Sequence, residues 1–546
     1  MAAPLLRGLG KGGRLTAALR RQAAPGLPRI QRRALVQSGV ASLEPPRFVE
    51  VPYVKESQTE LMQDMPDLVL GGHAQNYKQD NPYRSVPLDE AIDVEAKAAP
   101  ADEEGFPEPN FGRLENGVKI ISVERQGLCS SIGLFVQTGS RYMSAKEACL
   151  PHMLELMAFR SSAHLTHLRT QKTLEQLGAA ASCRVGREDV LFQIDVLREY
   201  VPVALPLMLA NVLCPLLPAD EVEEAHQGLA DFQQLLEDKP ESLVIEMLHV
   251  AAYKDNTLGY PLYATEQDLE TCSAENTRNF VKRECTPDKL TVVGVNVDFQ
   301  ELCKWTARSF NEQQGSLGSA SPPASSSSMT PAKYTGGELR LVRQQPLCHL
   351  IFGWEVPGGW NGKWLAAVTV LQMFLGGGGS FSTGGPGKGM HTRFFTEILN
   401  RHHWVESCQA STVMYIDSGM FTVYATAVPV YAGDFVEVLA RIFEGVPKIS
   451  NTELSRAKNS LKSSIHMNLE MRAVMMEDLG RQMVLSGKVG TASQFTDMVD
   501  AITKEDLVET LKVCLQSKPS FACLGAIDKI PKYEDIEKRF RDVKLP

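Results

Sequence analysis

Glu199–Leu213 reads EYVPVALPLMLANVL, and Val430–Phe443 reads VYAGDFVEVLARIF. Aligned on Tyr200 and Tyr431, the two stretches lie 231 residues apart. In each, an aromatic residue opens a run whose apolar positions are spaced for a helix. The same offset recurs downstream, where Gly294 in LTVVGVNVD faces Gly525 in FACLGAID. Thr286-Pro287-Asp288 and Lys518-Pro519-Ser520 each lead into that last apolar run. Upstream, Leu154-Glu155-Leu156-Met157 sits opposite Leu371-Gln372-Met373, about 216 residues away, so the second copy contains an insertion. Internal repetition outranks local signals in assigning a fold. The chain therefore reads as α+β, in two homologous halves, each an antiparallel or mixed sheet with packed helices.

Local patterns fill in the first half. Asn116-Gly117 is a two-residue hairpin signal, with strands at Val118–Val123 and Ile132–Val136. Helical spacing predicts helices over about 146–160, a short one at Leu174–Leu177, then 201–214, 219–238, 240–255 and 275–284. Ala179–Arg184 and Val190–Val196 read as a second hairpin, and Leu290–Val295 as a closing strand. Val201–Pro218 carries no charge, but its prolines leave only a short apolar helix, which belongs in a core rather than a membrane. Residues 315–332 are mostly Ser, Pro, Gly and Ala, the composition of a linker. The boundaries expected are an N-terminal arm at 34–107, a first half at 108–312, a linker at 313–334 and a second half at 335–546.

The insertion is GGGGSFSTGGPGKG, Gly376–Gly389, with eight glycines in fourteen residues. Glycine loses the most backbone entropy on ordering, so neither helix nor strand is expected there, only a mobile loop. Long structureless loops within compact domains are usually functional. A phosphate loop requires G-x-x-x-x-G-K-[ST]. Here Gly387-Lys388 has Ser382 five residues before it and Gly389 after it, which excludes that reading.

Composition narrows the function further. Eleven cysteines form no C-x-x-C pair, which argues against a zinc ribbon or disulfide framework. A net charge of −9 disfavours nucleic acid as a partner. Residues 1–43 hold no acid, while Arg7, Lys11, Arg14, Arg20, Arg21, Arg29, Arg32 and Arg33 alternate with leucines. An acid-poor, Arg-rich, amphipathic start is the composition of a mitochondrial transit peptide. Cleavage between Arg33 and Ala34 would remove those eight positive charges and take the net charge from −9 to −17. So acidic a chain attracts cationic partners.

His152-Met153-Leu154-Glu155-Leu156 places His152 and Glu155 on one helical face. An inverted zinc motif, H-x-x-E-H, needs a second histidine where Leu156 stands. Leucine has no lone pair to donate, so the helix cannot complete a metal site.

With the duplication, the runs LENGVKI, GLFVQTGSR and PHMLELMAFR resemble the pitrilysin-type (M16, inverzincin) metallopeptidases over about Arg113 to Ile530. In that family two α+β halves form a hinged clam around a substrate. The run LGGGGSFSTGGPGKGMHTRFFTEILN resembles the glycine-rich loop of the family's mitochondrial-processing alpha-subunit branch. The resemblance implies a heterodimer whose beta subunit carries zinc, while the alpha type binds basic presequence peptides in the mitochondrial matrix. His152 and Glu155 match the first ligand and the base, and Leu156 replaces the second ligand. Ungapped matching puts the third ligand position on Ala225, beside Glu223 and Glu224, with the register open. No catalytic residue, bound metal or other cofactor is then expected in this chain. The implied substrate-binding residues are Gly376, Gly377, Gly378, Gly379, Ser380, Phe381, Ser382, Thr383, Gly384, Gly385, Pro386, Gly387, Lys388 and Gly389. That loop contains no acid, so charge recognition is expected elsewhere, with Glu470, Glu477 and Asp478 as candidates. A core subunit of the cytochrome bc1 complex shares the fold and is the alternative, although a scaffold needs no such loop. An active peptidase is opposed by Leu156.

Overall fold

The computed structural model describes residues 43–51, 107–254, 256–264, 268, 270–312, 330–380 and 390–545. The expected transit peptide and most of the N-terminal arm and linker lie outside them. The first half runs β1 (Val49–Val51), β2 (Asn110–Leu114), β3 (Lys119–Val123), β4 (Cys129–Val136), α1 (Leu150–Leu156), α2 (His167–Gln176), β5 (Ala180–Val185) and β6 (Val190–Leu197). It continues with α3 (Val201–Leu213), α4 (Ala219–Asp238), α5 (Pro240–Tyr253), α6 (Ala274–Glu284), β7 (Leu290–Val295) and α7 (Phe299–Glu312). The second half runs β8 (Gly337–Val342), β9 (Cys348–Pro357), α8 (Leu365–Leu375), β10 (Gly377–Gly379), β11 (Val405–Met414) and β12 (Ser418–Ala427). Then come α9 (Asp434–Gly445), α10 (Asn451–Glu470), α11 (Arg472–Ser486), α12 (Ala492–Ala501), α13 (Lys504–Gln516), β13 (Ser520–Gly525) and α14 (Tyr533–Arg541).

The duplication is visible in the topology. The first sheet has the order β1-β2-β3-β7-β4-β6-β5, and the second, read from its far edge, β8-β13-β9-β12-β11-β10. The segment β3-β7-β4-β6-β5 therefore matches β8-β13-β9-β12-β11. Directions agree too, with the first pair parallel and the rest antiparallel. Tyr200 and Tyr431 each end a short 3₁₀ turn just before the equivalent helices α3 and α9. Each half adds strands at one outer edge: β1 and β2 in the first, and β10 in the second.

Each sheet is buried on one face by helices of its own half. In the first half, α3 is almost wholly buried, which explains its uncharged sequence without a membrane. Among the described residues no helix is long and apolar enough to cross one. The other faces are covered by exchange. From the second half, α11 lays Met475, Met476, Leu479 and Met483 on Ile121, Phe135, Leu191 and Val293 of the first sheet. From the first half, α5 lays Val244, Met247 and Leu248 on Ile351, Met420, Ala522 and Leu524 of the second. A Cβ at Gly480 would overlap the Phe135 ring, so glycine is what lets α11 approach the sheet. Full burial of each such side chain contributes about 1.5–3 kcal/mol, so the exchange ties the halves into one body.

Several expectations change in detail. The helix expected over 146–160 is α1 alone. Pro151 sits in its first turn, where the missing N–H costs nothing. Phe159, at φ 56°, turns the chain away, its N–H held by Asn211 Oδ1 at 2.6 Å. The short helix at Leu174–Leu177 starts earlier, at His167, as a largely exposed helix with Leu174 as its buried apolar anchor. Within the expected linker, Ala332 and Tyr334 pack against the core built on α5. There Ala332 N–H reaches Asp417 at 2.9 Å and the Tyr334 hydroxyl reaches the Gly353 carbonyl at 3.0 Å.

Candidate functional site

The residues that match the metal motif sit on α1, against α4. His152 is buried, and its Nδ1 accepts the Ala264 N–H at 3.0 Å. Burial lowers its pKa to about 4, so the ring is neutral at physiological pH. A neutral imidazole whose Nδ1 accepts a hydrogen bond carries its proton on Nε2. The remaining nitrogen therefore offers an N–H and no lone pair, the opposite of a metal ligand. The ring packs edge-on to Phe232 at 4.9 Å and to Tyr263 at 5.4 Å.

One turn on, Leu156 faces Gly228 of α4, 3.8 Å from the position of a Cβ there. The packing of α1 on α4 thus sets His152 against Phe232 and Leu156 against Gly228. The α4 side chain packed on the His152 ring is that of Phe232. Ala225 is buried in the core, and Glu224 is exposed and paired with Arg160 at 2.7 Å. Glu155 survives as a half-buried carboxyl, which burial pushes up to about 7 against the opposing pull of Arg184. Among the described residues no group of three or more His, Cys, Asp or Glu is arranged to hold a metal ion.

The glycine-rich stretch divides in two. Residues 381–389, which include Phe381, Lys388 and seven further expected contacts, lie outside the described residues. Gly376–Ser380 is ordered, contrary to the expectation of a loop throughout. Gly376 ends α8, its N–H bonded to the Gln372 carbonyl at 2.7 Å. Gly377–Gly379 then forms β10, antiparallel to β11 with Gly377 opposite Gln409 and Gly379 opposite Ser407. Flanking bonds extend the pairing: Ala410 N–H to the Gly376 carbonyl at 2.9 Å, and Ser380 N–H to the Glu406 carbonyl at 2.6 Å.

A strand forms here despite poor propensity because tertiary context outweighs it and only glycine fits. A Cβ at Gly377 would overlap the Cys408 carbonyl oxygen, and one at Gly376 would lie 2.6 Å from Thr392 Cβ. At Gly378 and Gly379 a Cβ would meet nothing within 4 Å. The returning limb is pinned beside the outgoing one. Thr392 Oγ1 accepts the Gly377 N–H at 3.2 Å, and Arg393 pairs with Glu453 at 2.8 Å.

The three candidate acids separate. Glu470 is exposed at the end of α10. Glu477 is engaged by Arg184 of the first half at 2.6 Å. Asp478 accepts the Gln482 amide at 2.7 Å, and burial raises its carboxyl to about 6. Sequence reading missed a buried hub between the halves. Arg141 bonds Glu188 and, at 2.7 Å, Asp417. Glu188 also takes the Ile416 N–H at 3.0 Å. Burial pushes Glu188 up to about 7 in spite of Arg141. For Asp417 the effect of burial is outweighed by the bonds from Arg141 and Ala332, which hold its carboxyl below the usual range. Beside this hub, His249 Nε2 meets the Tyr415 hydroxyl at 2.7 Å.

Comparison with known proteins agrees with this geometry. Residues 119–266 match the family "Insulinase (Peptidase family M16)", and 271–461 match "Peptidase M16 inactive domain". The chain is 31% identical over 511 residues to the probable mitochondrial-processing peptidase subunit alpha-1 of Arabidopsis thaliana, covering 93% of this chain and 98% of the relative. It is 29% identical to the mitochondrial-processing peptidase subunit alpha of Homo sapiens, covering 85% and 91%. In fold it is similar to a chain of complex III2 from Candida albicans, with a TM-score of 0.66 at 18% identity over 79% of this chain and 99% of that one. The chain belongs to the M16 peptidase family, as a non-catalytic member of its mitochondrial-processing peptidase alpha-subunit branch.

Proposed function

We propose that this chain recognises presequences within a mitochondrial processing peptidase, binding the basic N-terminal segments of imported precursors for cleavage by a zinc-bearing beta subunit. The working unit is a heterodimer in the mitochondrial matrix, with this chain supplying recognition and its partner the metal. The observation that carries this reading is the glycine segment, rooted as β10 on the edge of the second sheet in a chain whose metal motif is closed by Leu156 and Phe232. In the proposed role, Gly376–Ser380 forms a fixed base from which residues 381–389 reach the peptide. A segment with few side chains adapts its backbone to many sequences, which suits a receptor for diverse presequences. A structural role in the respiratory chain has less support, because the likeness to complex III2 is one of fold, whereas the alpha subunits align along almost their whole length.

The test is deletion of 381–389, with β10 kept, in the heterodimer with the beta subunit. Binding of a fluorescent presequence peptide should weaken about tenfold or more, a loss of about 1.4 kcal/mol, while the heterodimer stays intact by gel filtration. Unchanged peptide affinity in an intact heterodimer would remove the loop from recognition.

A further inference from the structure

The helices of the second half enclose a cavity of about 310 Å³ that no step of the proposed recognition uses. Its wall is built by Leu365 of α8, Ile465 of α10, Val474 of α11, and Phe495 and Met498 of α12. Among its lining residues Asp478 alone is ionisable, and its carboxylate is already tied to Gln482. A space this size, lined almost wholly by apolar side chains and partly open, favours an apolar occupant.

The start of the described chain lies at this cavity. Leu43 is buried, and its Cδ1 lies 2.8 Å from where a Cβ on Gly490 would stand. Phe495 crowds the same point at 3.0 Å. Gly490 and Phe495 both line the cavity. From Leu43 the chain runs away from it: Phe48 packs with Phe111 and the α11 core, and β1 then joins the first sheet. The residues next to this point along the chain are those before Leu43. Those residues, Ala34–Ser42, read ALVQSGVAS, without a charge and with Leu35, Val36 and Val40 as apolar anchors. Upstream of them the chain becomes basic at Arg32 and Arg33, which an apolar cavity would not accept.

We infer that Ala34–Ser42 docks in the cavity between α8, α10, α11 and α12, as the chain's own N-terminal plug. This inference is independent of presequence recognition. Docking would extend to the N-terminus the strap that residues 43–51 already make between the helices of the second half and the sheet of the first. It also sets a limit on leader removal, since a cut at Arg33 leaves the plug whole and a cut beyond Leu35 trims its first anchor.

The experiment places the photo-crosslinking residue benzoylphenylalanine at Val36 of the full chain, with and without the beta subunit. Cross-links should map to peptides containing Phe495, Met498 or Ile465 of the same chain. Ala492→Phe, which fills the cavity from its wall, should lower that yield about tenfold, with the fold intact by circular dichroism. Leu35→Asp combined with Val36→Asp should lower the melting temperature of the full chain, and should have no such effect when Ala492→Phe already fills the space. Cross-links elsewhere, to a second copy or to the beta subunit would overturn the proposal. So would protection of the cavity by an added presequence peptide with the N-terminal segment left unlinked.

Discussion

Replacing Gly377 by alanine tests whether the glycine stretch is ordered at its root. The new Cβ would overlap the Cys408 carbonyl oxygen and stand 2.9 Å from Cys408 C and Gln409 Cα. These are backbone atoms of β11, a strand held on its other side by β12, so they cannot yield as a side chain would. The residue would also keep φ +115°, a region costing a non-glycine residue about 1–3 kcal/mol. The alternative is for β10 to detach, which forfeits the Ala410–Gly376, Ser380–Glu406 and Gly377–Thr392 bonds. At about 1 kcal/mol each, those three bonds come to about 3 kcal/mol, and the β10–β11 pairing between them is lost as well, so detachment costs at least about 3 kcal/mol and the backbone strain of about 1–3 kcal/mol is the smaller loss. Gly379→Ala is the control: its Cβ meets nothing within 4 Å, and a surface change of that kind stays within about 0.5 kcal/mol. Thermal unfolding should show a loss of about 1–4 °C for Gly377→Ala and almost none for Gly379→Ala. Hydrogen exchange should show faster loss of protection at the Ala410 amide in Gly377→Ala alone. Equal melting temperatures and equal protection in the two variants would refute the assignment of Gly377–Gly379 as a strand.

Leu156→His alone should leave the purified chain without stoichiometric zinc by elemental analysis, because His152 presents Nε2–H and Phe232 fills the facing position; one equivalent of bound zinc would contradict this. Arg141→Met removes the shared cation and leaves Glu188 buried beside Asp417; by urea unfolding it should cost about 3–5 kcal/mol, and a loss below about 1 kcal/mol would show that the hub does not hold the halves together. The Asp478 carboxyl, raised to about 6 from an ordinary 3.8, binds its proton more tightly when folded. Its contribution is therefore complete below the ordinary pKa, falls as pH rises from about 4 to about 6, and is flat above, for a total of about 3 kcal/mol. Asp478→Asn should flatten that part of the stability profile relative to the parent chain, and an identical slope in the two proteins would refute the shift.

The architecture was legible because it rests on periodic patterns. The 231-residue offset survives as two sheets of one order, and the buried runs of α3, β7 and β13 carry their burial in their composition. What stayed hidden depends on contacts with no sequence period. Arg141 meets Glu188 and Asp417 across separations of 47 and 276 residues, and nothing in either neighbourhood marks them as partners. The helices α5 and α11 look like members of their own halves and are seen to be exchanged only when each is found on the other's sheet. Leu156 announced the loss of one ligand. The second loss, the tautomer of His152, depends on the Ala264 N–H, 112 residues away.

The glycine stretch shows why composition misled at one point and informed at another. Reading glycine as flexibility treats its missing side chain only as an entropic cost. In the structure the same absence serves two opposite ends. At Gly376 and Gly377 it admits a neighbour so closely that no other residue fits, and the backbone is fixed. At Gly378 and Gly379 it leaves a strand with nothing projecting into the open space around it. A sheet edge covered by such a strand gains main-chain hydrogen bonds and loses an exposed pairing surface, without placing side-chain bulk in the open space beside it. The equivalent edge of the first half, β5, has no such cover among the described residues, and its Arg184 is engaged instead by Glu477 of α11. The two edges, alike by duplication, have thus been given different work: one is tied to the opposite half by an ion pair, and the other carries the rooted glycine segment. Where that segment begins is therefore fixed by the packing of two glycines, and the proposed recognition falls to the composition beyond Ser380.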